Sequence, residues 1–190
     1  MKKLMLLAAV AVFGLSSVNA QEVKFGAKAG VNFSTFGGDY EDVKSRTSFH
    51  VGGMAEISIS EKFAFQPELL YSSVGAKADE GDGELKLDYI SIPLMAKYMV
   101  AEGFSIEAGP QIGILASAKS EGGGEDVDVK DETNGIDFGV GLGASYRMDT
   151  GLNFGLRYNL GLSNVNDAED SDDFSFQNNV FQISVGYFFN

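Results

Sequence analysis

The sequence predicts an all-β protein, an eight-stranded antiparallel transmembrane β-barrel wound as an up-and-down meander. Three observations predict it. First, apolar residues recur at every second position. Across 135–163, Ile136, Phe138, Val140, Leu142, Ala144, Tyr146 and Met148 alternate with Asp137, Gly139, Gly141, Gly143, Ser145 and Arg147. A period of two belongs to a strand, whose successive side chains point to opposite faces. Second, these segments exceed the ~5–6 residues of an ordinary soluble strand and reach the about 9–11 that a tilted strand needs to cross a bilayer. Third, one face is aromatic and aliphatic while the other is glycine, Asp, Asn and Arg. That suits a wall with lipid outside and a crowded polar inside.

Taken in order, residues 1–20 read as a signal peptide to be cleaved. Lys2-Lys3 precede an apolar run, and Val18-Asn19-Ala20 offers small residues for cleavage before Gln21. Residues 21–190 then form one barrel domain. The first strand is expected over 23–35, with Phe25, Val31 and Phe33 outward and Lys24, Lys28 and Asn32 inward. A polar loop is expected over 36–47. The second strand spans 48–60 and turns His50, Met54 and Glu56 inward. Glu61-Lys62 breaks the pattern before a third strand over 63–73, with Gln66 and Glu68 inward.

Residues 76–86 read as an acidic, glycine-containing loop. The fourth strand, 87–100, carries Tyr89, Met95 and Lys97 inward. Leu85 and Leu87 fall on the polar parity, which predicts a bulge or loop end near Asp88. Pro93 predicts an irregularity, since it cannot donate to a ladder. Ala101-Glu102-Gly103 is a turn before a fifth strand over 104–118 with Glu107 inward. The longest loop, 119–134, holds Gly122-Gly123-Gly124. Strands six and seven form the hairpin within 135–163, broken at Asp149-Thr150-Gly151. An acidic loop over 164–175 precedes the last strand, 176–189. Connections alternate long and short, as in barrels with short periplasmic turns and long external loops. An even count puts both termini on the periplasmic side.

Composition excludes several functions. The net charge of −13 disfavours nucleic-acid binding, and the absence of cysteine removes disulfides, thiolate catalysis and a cysteine-linked lipid anchor. Gly139-Val-Gly-Leu-Gly-Ala144 matches a dinucleotide fingerprint in spelling, but no helix follows it. The acidic run 167–173 lacks the glycine and closing Glu of a calcium loop.

Several segments resemble the small eight-stranded outer-membrane barrel family of Gram-negative bacteria, the OmpA/OmpX-like and PorT-like proteins. They are Tyr89-Ile-Ser-Ile-Pro-Leu-Met-Ala-Lys-Tyr98, Glu107-Ala-Gly-Pro-Gln-Ile-Gly113, Leu156-Arg-Tyr-Asn-Leu-Gly-Leu162 and Val180-Phe-Gln-Ile-Ser-Val-Gly-Tyr-Phe-Phe189. The resemblance implies the outer membrane as location, with outer-membrane lipid and lipopolysaccharide as surroundings. It also implies delivery by the barrel-assembly machinery, which reads the C-terminal strand, and a monomer.

Parity places Lys24, Lys28, Glu56, Glu68, Lys97, Glu107, Asp137, Arg147 and Arg157 in a lumen charge network, with His50 beside Glu56. An eight-stranded barrel is just wide enough to be filled by its own side chains. Charges packed there are expected to pair, because an unpaired buried charge is costly. No catalytic, cofactor-binding or metal-binding residue is expected, and no cofactor. The expected function is non-enzymatic: envelope structure or surface interaction through acidic external loops. A small porin-like channel for ions or small solutes is the alternative. A lipid-modifying hydrolase would need a nucleophile and base facing lipid, and the one histidine, His50, points inward.

Overall fold

The computed structural model describes residues 22–38, 43–79, 81, 83–122, 125–166 and 175–189. The expected leader, 1–20, and the acidic run 167–173 lie outside them. Eight strands make the wall: β1 (Val23–Gly38), β2 (Val43–Ser58), β3 (Phe63–Ala78), β4 (Glu84–Ala101), β5 (Phe104–Gly122), β7 (Ile136–Arg147), β8 (Leu152–Gly161) and β9 (Phe176–Phe188). A short strand, β6 (Glu125–Asp128), extends the end of β5 as a hairpin, and one 3-10 turn, Lys130–Glu132, follows it. Each wall strand pairs antiparallel with its sequence neighbour. β1 pairs β9 from Gly26↔Phe188 to Gly38↔Phe176, which closes the sheet. Closure removes the unpaired edges that hydrocarbon does not tolerate.

One end of the barrel carries tight turns. At Asp149-Thr150-Gly151, Met148 N–H donates to Leu152 O at 2.8 Å, and Gly151 sits at φ 88°. That left-handed backbone suits glycine. The other end carries the longer connections; these are the turn end and the loop end below.

The oily residues are outside. Phe25 is 58% exposed and Leu142 67%, while Arg157 and Lys97 are 2% and 3% exposed. Aromatic side chains gather at the turn end of the outer face, where the tilted rings of Phe63 and Tyr98 lie 4.9 Å apart and those of Tyr187 and Phe189 6.0 Å apart.

Strand ends differ from expectation on the loop side. β1 continues past Thr35, so Phe36 lies inside the barrel rather than in a loop, and β2 begins at Val43. β3 and β4 likewise run through most of 76–86. Polar residues there alternate no worse in a hairpin standing in water than in a loop, so periodicity does not mark the end.

The irregularity near Asp88 is real but sits on the neighbouring strand. Asp88 pairs Ser117 and Tyr89 pairs Leu115, leaving Ala116 of β5 as the extra residue. β4 keeps its parity, so Leu85, Leu87 and Tyr89 all face inward; Leu87 is fully buried. Beyond the bulge Ala118 turns inward in place of Ser117. Pro93 causes no slip: Pro93↔Gln111 and Ala96↔Ala108 share one register.

Candidate functional site: the barrel interior

The lumen is filled in layers, and the charged layer comes from alternate positions of seven strands. Arg157 of β8 reaches across to Glu68 of β3, with Nη2 donating to Oε1 at 2.7 Å and Nη1 to Oε2 at 3.0 Å. Its Nε donates to Glu107 of β5 at 2.8 Å. Lys28 of β1 donates to Glu68 at 3.1 Å. Nearer the turn end, Lys97 of β4 donates to Glu56 of β2 at 2.8 Å, and Arg147 of β7 donates to the other oxygen of Glu56. Gln66 couples the two groups: its Nε2 donates to Glu68 at 2.7 Å and its Oε1 accepts from Lys97 at 3.0 Å. Planar guanidinium forks on carboxylates are the strong form of such pairs. Glu56 and Glu68 each accept from more than one side chain, which helps to satisfy a buried charge.

Two of the nine expected network residues stand apart. Lys24, 31% exposed in its side chain, pairs with Glu22 at the turn-end rim at 3.4 Å. Asp137 lies nearer the loop end and accepts from Ser163 Oγ at 2.6 Å and Asn178 Nδ2 at 3.2 Å. Parity gave both the right face but says nothing of depth along the axis.

His50 does not meet Glu56. Its Nδ1 lies 2.7 Å from Asn32 Oδ1 and its Nε2 3.0 Å from Ser184 Oγ. Gln182 Nε2 also donates to Asn32 Oδ1, at 2.9 Å. The ring occupies the space that a Cβ on Gly30 would need, 2.5 Å from His50 Cε1, so only glycine fits there. Asn32, Gln66, Gln182 and Ser184 belong to this interior and were missed as site residues, because neutral polar side chains carry no charge signal. Their inward parity was the available clue.

Both ends of the lumen are stoppered. At the loop end Phe36, Val74, Leu87, Leu115, Val165 and Phe176 form an apolar cap, with Phe36 and Phe176 ring centroids 4.7 Å apart. At the turn end Phe188, 1% exposed, lies under the cations, 5.2 Å from the Arg147 guanidinium and 5.8 Å from Lys97 Nζ. Such placements over a ring are attractive.

The fold has solved counterparts. The chain is similar to Neisserial surface protein A (NspA) at TM-score 0.60 and 14% identity, covering 87% of this chain and 98% of that one. It is similar to Ail, the attachment invasion locus protein of Yersinia pestis, at TM-score 0.57 and 14% identity, over 88% and 99% of the two chains. Ail in complex with the heparin analogue sucrose octasulfate matches at 0.54 and 15% identity, over 88% and 99%. At these identities the likeness is one of fold. No functionally curated protein matches the chain. The family model described as outer membrane protein beta-barrel domain matches residues 19–167. With that match, an oily exterior and an eight-stranded closed wall, the chain belongs to the outer-membrane β-barrel domain family and is an outer-membrane protein.

Proposed function

We propose that this protein is a sealed, non-enzymatic barrel that displays acidic hairpins at the cell surface, with both termini in the periplasm. The observation that carries this reading is the filled interior: an ion-paired layer between two apolar stoppers. A wall that conducts nothing leaves its loop end as the working part. The connections there are rich in carboxylates, including Asp39, Glu41 and Asp42 and the run from Asp167 to Asp173. Such a surface attracts basic partners and divalent ions and repels polyanions. The polyanionic heparin analogue bound to Ail is therefore a poor guide to the partner here.

The hydrolase reading has one observation to answer. Ser184, His50 and Asn32 stand in the order nucleophile, base and orienting group. All three face the lumen at 3%, 1% and 0% exposure, with no route for a lipid. We read them as a structural hydrogen-bond chain, and replacing His50 is expected to leave lipid A unchanged.

Three measurements test the proposal. In planar bilayers the protein shows no steady single-channel openings; such openings would favour the porin-like alternative. A tag inserted between Asn166 and Ser175 is reached by antibody on intact cells; reactivity only after permeabilisation would invert the barrel. Proteoliposomes bind polylysine at low salt, and replacing the acids of 167–173 by Asn and Gln weakens that binding. Unchanged binding would remove the loops from the proposal.

A further inference from the structure

Between the apolar cap and the charged layer the lumen holds a cavity of about 20 Å³, lined among others by Tyr89, Asp137, Asn159 and Asn178. That is room for one water-sized occupant. Asp137 is the only carboxylate on this wall, and among the described residues it makes no ion pair. Lys28, Lys97, Arg147 and Arg157 lie lower and are held by Glu56, Glu68 and Glu107, while Arg46, at the loop end, is held by Glu84. Positions 39–42, 80, 82 and 167–174 contain no Lys or Arg in the sequence.

The neighbouring amides add a second observation. Asn159 and Asn178, each 4% exposed, leave their side-chain carbonyl oxygens without a hydrogen-bond partner. Flipping the Asn178 amide does not mend this, because its Nδ2 donates to Asp137 and the flip would set oxygen against carboxylate. Asn159 Nδ2 is likewise committed, to Gln182 Oε1 at 3.0 Å. A buried acceptor left empty costs about 1–3 kcal/mol. The site therefore offers one negative charge and spare oxygens, and it lacks a positive charge.

We propose that this cavity binds one monovalent cation of the size of Na⁺, with the Asp137 carboxylate and the Asn178 amide oxygen among its ligands. One carboxylate balances one charge. Ca²⁺ takes 6–8 oxygens, commonly from several carboxylates, and Mg²⁺ keeps a hydration shell that this volume does not admit. The acidic loop end concentrates cations outside the cap.

The test uses the refolded mature protein in detergent, with unfolding followed by heat-modifiable gel mobility. The midpoint is expected to rise saturably with NaCl relative to N-methylglucamine chloride at equal ionic strength. Asp137→Asn is expected to abolish the difference while keeping the folded band. Asn178→Asp is expected to shift the preference from Na⁺ towards Ca²⁺. Should Asp137→Asn fail to fold, Tl⁺ soaked into crystals of the unaltered protein gives the second reading, an anomalous peak beside Asp137. Equal midpoints in the two salts, a sodium response that survives Asp137→Asn, or no Tl⁺ peak would overturn the proposal and leave water as the occupant.

Discussion

Arg157 and Glu68 meet across the barrel axis in a two-pronged pair, at 2.7 and 3.0 Å, although 89 residues separate them in the chain. The same guanidinium also holds Glu107. Replacing Arg157 with Met would strand Glu107 without a partner in the buried interior and leave Lys28 as the one cation on Glu68. The expected cost is about 3–5 kcal/mol. Arg157→Lys keeps the charge but loses the fork, so it should fall between the two. Urea titration in lipid vesicles measures the order. Equal stability of Arg157→Met and the unaltered protein would remove the network from the forces that hold the barrel together.

Leu142 tests the oily face. It projects from the middle of β7, between Ala108 on β5 and Tyr158 on β8. Leu142→Lys is expected to cost about 2–4 kcal/mol, as for a cation at mid-bilayer depth. Val127, 55% exposed on the β6 hairpin beyond the barrel wall, is the control. Val127→Lys is expected to fall within about 0.5 kcal/mol of the unaltered protein. Equal costs at the two sites, read by the same titration, would contradict the assignment of the band.

Leu87 tests the cap. It is fully buried against the loop-end cluster. Leu87→Ala should cost about 2–5 kcal/mol through lost transfer energy and the cavity left behind. Because the cap ties the 162–166 segment to β9 through Val165 N–H and Phe176 O at 2.9 Å, the loops should also be cut sooner by proteinase K. Faster cleavage without loss of the heat-modifiable band is the expected pattern.

Wall and lumen were legible because a strand writes its two faces into alternate residues. Phe25 against Lys28 and Leu142 against Gly141 follow directly from that parity. Partner choice was not legible. Arg157 and Glu107 meet through strand tilt and register, and neither quantity is encoded in one strand's pattern. His50 was expected beside Glu56, six residues on, but the β1–β2 register instead sets it near Asn32 and β9 adds Ser184. Leu85 and Leu87 looked misplaced for a different reason. The rule of polar inside and apolar outside holds at membrane depth, whereas the loop-end extension packs a small core like that of a soluble protein.

The pairing of β1 with β9 joins the first and last strands, matching Gly26 to Phe188 and Phe36 to Asn178. All other neighbours in the wall are consecutive and can zip as hairpins soon after they emerge. The seam must wait for the 13-residue strand β9 to be delivered. Until then Lys28 and Asn32 sit on an open margin of the nascent sheet. Closure of so distant a contact is slow, so the joining of these two ends is expected to limit the rate of folding.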